Sequence, residues 1–263
     1  MNWSAVDLSI LLPAFLAGVL VLATHVPLGV QVLKKGIVFI DLAIAQIAGL
    51  GVIVAGLFEV APGGWPLQVA AALAALAGSL LLTWTERRWP EVQEAQIGVV
   101  FVLAATGGIL LLAKDPHGGE YLRDLLAGQI LWVGYRQLVV PLLVSVVTLA
   151  VLWVWRGRLS QVAFYVVFAL AVTASVQLIG VYLVFASLIV PALGSRRHRS
   201  RTRLALAYGI GIGGYAIGLV LSSALDLPSG ALIVWCLALL AALVHAASRT
   251  AAAAPDKRLA EVR

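Results

Sequence analysis

Three polar side chains of the kind that bind metal ions lie within two strongly apolar stretches near the start of the chain: His25, Asp41 and Gln46. A neutral imidazole and a carboxylate suit first-row divalent metal ions, and an amide oxygen adds a ligand suited to harder ions. Ionisable groups are costly to bury in hydrocarbon and usually mark function. The three residues therefore predict a cation-binding pocket.

The spacing places two of these side chains at the same depth. A turn centres near Lys35, with His25 ten residues before it and Gln46 eleven residues after it. At 1.5 Å per residue, both would lie about 15 Å from the turn, and Asp41 would lie about 9 Å from it. Pro27 follows His25 closely and is expected to kink the first helix and free a backbone carbonyl.

Simpler roles for the same residues remain open. His25 and Gln46 would tie the two helices together if they bonded to each other or to backbone carbonyls. Asp41 would pair with Lys34 or Lys35 if it faced the membrane surface. Glu94, at the start of a later helix on the same membrane face, is either a further ligand or a complement to the helix dipole.

The composition requires membrane helices to position these groups. The 263 residues are 62% hydrophobic and 11% charged, with a mean hydropathy of +1.03, whereas a soluble domain carries about 25% charged residues. Since helices satisfy their own backbone in lipid, we predict an all-α polytopic transmembrane bundle of about eight spans in the cell membrane. The predicted spans are 8–33, 37–58, 67–85, 95–113, 137–155, 162–193, 204–225 and 229–248.

The net charge of +6 comes from basic residues in short gaps between the apolar runs. This pattern is typical of loops that face the cytoplasm and excludes a nucleic-acid-binding surface. Residues 162–193 are long for one helix and contain Gly180; if the chain breaks there and returns, all the basic segments share one face. We expect one transmembrane domain over 1–248 and a mobile cytoplasmic tail over 249–263.

Enzyme motifs are absent from the sequence. It contains no Gly-x-x-x-x-Gly-Lys-Ser/Thr motif for ATP phosphates, no His-Glu-x-x-His, no Gly-x-Ser-x-Gly and no Cys-x-x-Cys. Cys236 is the only cysteine and lies in an apolar run. The chain is therefore not expected to be an enzyme or to hold a permanent cofactor.

Five segments, in order along the chain, resemble the permease subunits of metal-ion ABC importers of the zinc, manganese and iron class. They are LGVQVLKKGIVFIDLAIAQIAGLG at 28–51, EAQIGVVF at 94–101, LLAGQILWV at 125–133, VQLIGVYLVFASLIVPALGSR at 176–196 and LSSALDLPSGALIV at 221–234.

The resemblance implies a permease that imports zinc, manganese or iron as a homodimer by alternating access. It also implies two cytoplasmic ATP-binding cassette subunits, which would hydrolyse ATP, and an extracytoplasmic metal-binding protein. On this resemblance Asp41 and Glu94 correspond to family acids on the metal route. The region from Pro191 and Gly194 through Arg196 and Arg197 to Arg203 corresponds to the contact with the ATPase.

One position departs from the family pattern. The family usually has a histidine four residues after the aspartate, where this chain has Ala45, followed by Gln46. We hypothesise that His25 supplies the missing imidazole. Two other functions remain as alternatives: a secondary transporter driven by an ion gradient, and a scaffold subunit of a membrane complex that transports nothing.

Overall fold

The computed structural model describes residues 7–58, 65–113, 115–155 and 159–253, and ten α-helices make up most of this part of the chain. They are α1 (Leu8–Lys35), α2 (Ile40–Leu57), α3 (Trp65–Arg88), α4 (Gln93–Leu112), α5 (Gly118–Ala127), α6 (Val139–Trp155), α7 (Gln161–Ile179), α8 (Val181–Gly194), α9 (Ser200–Leu225) and α10 (Ser229–Ala253). The all-α fold is confirmed. The breaks predicted at 62–64 and 156–158 and the end of the tail from 254 lie outside the described residues.

Seven described helical segments are long and apolar enough to cross a membrane, and two shorter apolar helices, Ile40–Gly56 and Val181–Gly194, accompany them. The predicted break within 162–193 is confirmed at Gly180, which has a φ of 81° and separates α7 from α8. A positive φ is readily adopted by glycine because it has no Cβ. The span predicted at 162–193 is therefore two helices.

Contacts at both ends of α7 show that it runs from one face of the bundle to the other. Near its start, the Tyr165 hydroxyl donates a hydrogen bond to the Glu86 carboxylate at the end of α3. Near its end, the backbone carbonyl of Ile179 lies against Gly128, which follows α5 on the opposite face. The helix thus crosses the bundle completely.

Helix α8 then leads back toward the first face. Its residues Leu188 and Ala192 lie against Gly29, six residues before the end of α1. The basic residues after α8 therefore lie on the same face as Lys34 and Lys35, and as the end of α3 at Arg87 and Arg88. Within the described residues, α2 and α8 accompany the seven long apolar segments, and the break at Gly180 lets the basic segments share one face.

The neighbours of α1 and α2 differ from the predicted hairpin. Helix α1 packs mainly against α8, α9 and α6, whereas α2 packs mainly against α3, α4 and α7. Small residues permit the closest contacts, as where a Cβ on Gly29 would lie 2.0 Å from the Leu188 carbonyl oxygen. Helices α1 and α2 follow one another in the sequence but pack against different helices. Their neighbourhood in the sequence therefore does not bring their polar side chains together.

Hydrogen bonds from side chains divide the bundle into two sets of helices. One set contains α2, α3, α4 and α7, and the other contains α1, α6, α8 and α9; within each set, hydrogen bonds that involve side chains link the helices. In the described part of the chain, with His245 and Ala247 left aside, no such bond joins one set to the other. We call the boundary between the two sets the seam.

Two aromatic contacts cross the seam. The rings of Phe39 and Phe185 are nearly parallel, with centroids 6.4 Å apart. The Lys35 ammonium lies 5.1 Å from the centre of the Phe164 ring. The two sets are otherwise joined by apolar packing and by the chain itself.

Candidate functional site

Asp41 and Glu94 begin neighbouring helices. Asp41 is the second residue of α2 and is 1% exposed, and neither of its carboxylate oxygens has a hydrogen-bond partner. The Phe39 amide donates to Glu94 Oε1 at 3.3 Å, which holds Glu94 beside the start of α2. Glu94 Oε2 is also buried without a partner. The structure therefore gathers two acids at paired helix N-termini, where the helix dipoles favour negative charge.

The pairing of Asp41 with Lys34 or Lys35 is not observed. Both Asp41 oxygens lack a partner, and Lys35 lies over Phe164 instead. A buried carboxylate without a donor is unusual, because burial of an unpaired charge costs far more than burial of a neutral group. Of the described residues, Asp41 is thus the one whose placement most strongly favours the binding of a cation.

His25 is fully buried in α1, the helix that packs mainly against α8, α9 and α6. Its Nδ1 lies 3.0 Å from the Val21 carbonyl oxygen and donates to it in the tautomer that carries the proton on Nδ1. The Thr24 hydroxyl lies 3.0 Å from the same nitrogen. The other nitrogen, Nε2, is then an unprotonated acceptor, buried without a partner.

Gln46 lies elsewhere, in the wall of a cavity of about 980 Å³ between α2, α4, α8 and α10. The cavity extends to the face that carries Trp132 and Pro228, opposite the basic loops. Gln46 is 8% exposed, and no hydrogen bond joins it to His25 in the described structure. His25 is not among the residues that line this cavity, and the shared pocket inferred from matched depth stays a prediction.

The four predicted ligands do not form one coordination sphere here. Within the described residues, no group of three or more His, Cys, Asp or Glu side chains is arranged to hold a metal ion. Asp41 and Glu94 lie near each other at the start of α2, Gln46 lies further along the same helix, and His25 lies in the α1, α8 and α9 core. Whether His25 replaces the family histidine stays a prediction.

The residues predicted to meet the ATPase occupy two environments. Pro191 and Gly194 are buried at the end of α8, and a Cβ on Gly194 would lie 2.7 Å from that of Ala241. Arg196 and Arg197 are exposed in the turn that follows. The buried pair therefore fixes the end of α8, while the arginines present positive charge on the surface of the basic face.

A polar network on the basic face is absent from the sequence-based prediction. Gln93 donates to the Leu82 carbonyl at 3.1 Å and to the Tyr165 hydroxyl at 3.3 Å, and Thr85 donates to the Gln93 amide oxygen at 3.3 Å. Tyr165 in turn donates to Glu86. In the sequence, these residues are visible only as polar positions at the ends of predicted helices. Such positions are common in solvated loops, so they do not indicate a network.

A second cavity of about 750 Å³ lies between α3, α6 and α7 on the face opposite the basic loops. Gln177 contributes to its wall and is exposed. Gly128 lines both cavities, because the segment after α5 passes between them. The first cavity is distinguished by its contact with α2, the helix that carries Asp41.

A bundle that crosses the membrane repeatedly, holds unpartnered carboxylates at helix ends and encloses a cavity between its spans is a multi-pass membrane transport protein. The profile of the ABC 3 transport family matches residues 7–165 and 156–248. The chain belongs to the ABC 3 transport family.

Individual relatives agree with this assignment. The chain is 22% identical over 252 residues to the high-affinity zinc uptake system membrane protein ZnuB of Haemophilus influenzae, a match that covers 88% of this chain and 95% of that protein. The fold of the present chain is similar to that of a chain of PsaBC from Streptococcus pneumoniae, solved in complex with Fab. The TM-score is 0.71 at 18% identity, and the match covers 90% of the present chain and 89% of that chain. An inward-facing metal-chelate type ABC transporter matches with a TM-score of 0.66, 14% identity and coverage of 89% and 84%.

Proposed function

We propose that this chain is the membrane-spanning permease subunit of an ATP-driven importer of divalent transition-metal ions, with zinc, manganese or iron as the cargo. Membership of the ABC 3 transport family supports an ABC permease, and the zinc uptake named for the Haemophilus relative supports a metal cargo. The observation that carries the proposal is Asp41, a buried carboxylate with two free oxygens on a helix that also lines the large cavity.

The proposal assigns ATP hydrolysis to a partner. The sequence has no phosphate-binding loop, so an ATP-binding cassette subunit supplies the energy from the basic face. The exposed Arg196 and Arg197, just after the buried end of α8, would transmit its movement. An extracytoplasmic metal-binding protein would deliver the ion to the opposite face, to which the cavity extends.

Alternating access then follows from the position of the cavity. The cavity reaches the outer face in the present conformation, while Phe39 and Phe185 stack beside the start of α2. Import requires the outer end to close and the end near Asp41 to open. Broken helices such as α7 and α8 are common in transporters that move in this way.

Uptake into proteoliposomes tests the proposal. The permease and its ATPase are reconstituted together, the metal-binding protein is added outside, and radiolabelled zinc or manganese is followed with and without ATP. We expect metal to enter only with ATP and only with an ATPase whose phosphate-binding lysine is intact. ATP-independent uptake abolished by an uncoupler would instead identify a secondary transporter. If no metal entered under any condition, the alternative of a scaffold subunit that transports nothing would be favoured.

A further inference from the structure

Gln46 is the polar side chain that α2 contributes to the wall of the large cavity. It is only 8% exposed, and its amide makes no hydrogen bond to the described protein. The amide borders the cavity, so its two donors and its acceptor are open to a polar occupant. An unpaired amide that borders a cavity is therefore placed to bond to whatever occupies that cavity.

The rest of the cavity wall is poor in metal ligands. Leu42 from α2, Phe101, Ala105 and Ile109 from α4, and Phe185, Ala186 and Val190 from α8 are apolar lining residues. The described lining contains no histidine or cysteine. Its carboxylate, Asp124, belongs to α5 near the outer face, and its other polar side chains besides Gln46 are the neutral Gln129, Tyr182 and Ser229. Divalent ions give up coordinated water only for several strong ligands, which this wall does not provide.

The size of the cavity agrees with a cargo larger than a bare ion. Six waters around an octahedral ion occupy about 180 Å³ at about 30 Å³ each. The cavity, at about 980 Å³, holds such an assembly with room to spare. An amide oxygen and an amide N–H can each bond to a coordinated water or to a chelator carboxylate.

We propose that the metal ion crosses this cavity with its ligand shell still attached, and that Gln46 recognises the shell rather than the metal. The shell is a layer of polar groups, supplied either by water or by a small chelator. This inference rests on the proposed function and identifies the residue through which that cavity selects its cargo. Gln46 then acts as a specificity-determining residue by hydrogen bonding to the ligands of the ion.

The test compares Gln46→Leu with Gln46→Asn and with Gln177→Leu in the ATP-driven uptake assay. Leucine fills a similar volume without hydrogen bonds, asparagine keeps the amide, and Gln177 lies in the other cavity. We expect Gln46→Leu to raise KM about tenfold with kcat retained, the factor expected for one lost hydrogen bond. Gln46→Asn should stay within about twofold of wild type, because a water can bridge the shorter amide to the shell, and Gln177→Leu should match wild type.

Two cargo forms separate the sources of the shell. One arm supplies radiolabelled manganese in a buffer free of chelators, and the other supplies manganese with radiolabelled citrate. Entry of manganese alone assigns the shell to water, whereas entry of citrate together with manganese assigns it to a chelator. Manganese bound to the wild-type permease should retain exchangeable-proton couplings from its shell water in electron-nuclear double resonance, or carboxylate couplings in the citrate arm.

The inference is overturned if wild-type protein transports metal but Gln46→Leu has an unchanged KM for both cargo forms. It is also overturned if the bound ion shows nitrogen couplings from a protein imidazole and no shell ligands. Melting temperatures of the variants identify any that fail to fold, and Gln46→Ala, which also removes the amide and should likewise raise KM about tenfold, then carries the comparison. Absence of ATP-driven metal uptake by the wild type would reject the proposed function itself, an outcome distinct from either of these.

Discussion

The hydroxyl of Tyr208 donates to the carbonyl oxygen of Ala23 at 3.1 Å, and this is the carbonyl that Pro27 deprives of its helical donor. Proline has no backbone N–H, so the carbonyl four residues before it would otherwise stay unpaired in hydrocarbon. Helix α9 thus supplies the bond that α1 lacks, close to His25.

Replacement of Tyr208 by Phe should destabilise the protein by about 1 kcal/mol, because the Ala23 carbonyl loses its donor. The cost should shrink in a Pro27→Ala background, where residue 27 regains an N–H for the same carbonyl. Thermal unfolding in detergent measures both effects. Tyr182→Phe is the control, since that exposed hydroxyl makes no hydrogen bond in the described structure. Equal costs of Tyr208→Phe in both backgrounds would contradict this pairing.

Asp41→Asn should separate stability from transport. The substitution replaces a buried carboxyl whose oxygens have no donor by an amide of the same shape, so the melting temperature should stay the same or rise. Transport should fall about 10- to 100-fold, the range seen when metal-site partners are lost. The exposed Glu91 near the start of α4 provides the matched acid-to-amide control, Glu91→Gln. Normal uptake by Asp41→Asn would remove Asp41 from the metal route.

Tyr165→Phe should cost about 2 kcal/mol of stability, because a hydrogen bond to a carboxylate is lost and the Gln93 amide loses an acceptor. Glu86→Gln should cost much less, since the amide oxygen still accepts from Tyr165. Denaturant unfolding followed by tryptophan fluorescence measures the difference. The exposed Tyr135 gives the control Tyr135→Phe. If both changes in the Tyr165–Glu86 pair cost the same, the hydroxyl is not the link between α3 and α7.

Two glycines with similar positive φ angles should respond differently to alanine. Gly36 has a φ of 75° and a ψ of 17°, and no atom lies within 4 Å of the position that a Cβ would take, so Gly36→Ala should cost about 1 kcal/mol. Gly128 has a φ of 69° and a ψ of 167°, and its Cβ would lie 2.1 Å from the Ile179 carbonyl oxygen. Gly128→Ala should therefore sharply reduce the monodisperse fraction in size-exclusion chromatography, and a yield equal to that of Gly36→Ala would contradict the close contact.

The described helices place Arg88 and Arg197 on one face of the bundle and His117 and Asp226 on the other. Single cysteines at these exposed positions, in a Cys236→Ser background, can be probed with a membrane-impermeant maleimide. Because basic loops face the cytoplasm, intact cells should be labelled at 117 and 226 only, and permeabilised cells at all four. Labelling of residue 197 from outside would show that α8 does not return.

The sequence predicts the membrane fold well, because hydropathy and charged gaps report directly on the cost of entering lipid. It also predicts the break at Gly180, since five basic segments have to share one face. Helix α8 is harder to predict as a separate crossing. It has 14 residues and is largely buried within the bundle, so it does not need the length of a helix surrounded by lipid.

The candidate site is less predictable for a different reason. Depth along a helix gives one coordinate, so it places His25 and Gln46 at similar levels but says nothing of the direction in which each side chain points. The packing of α1 against α8 and α9, and of α2 against α3, α4 and α7, decides that direction. The Tyr165 network escapes prediction because its members lie far apart in sequence and meet only after these helices pack.

The seam between the two hydrogen-bonded sets of helices is an apolar interface that permits shear of one set against the other. In the described part of the chain, sliding along it leaves the side-chain hydrogen bonds within each set intact, while apolar packing, the Phe39–Phe185 stack, one cation–π contact and the chain connections such as Gly180 readjust. Such shear between packed helices is a familiar route for switching between two shapes. Since the large cavity lies between α2 and α4 on one side and α8 on the other, a small slip would redistribute its volume from one membrane face toward the other.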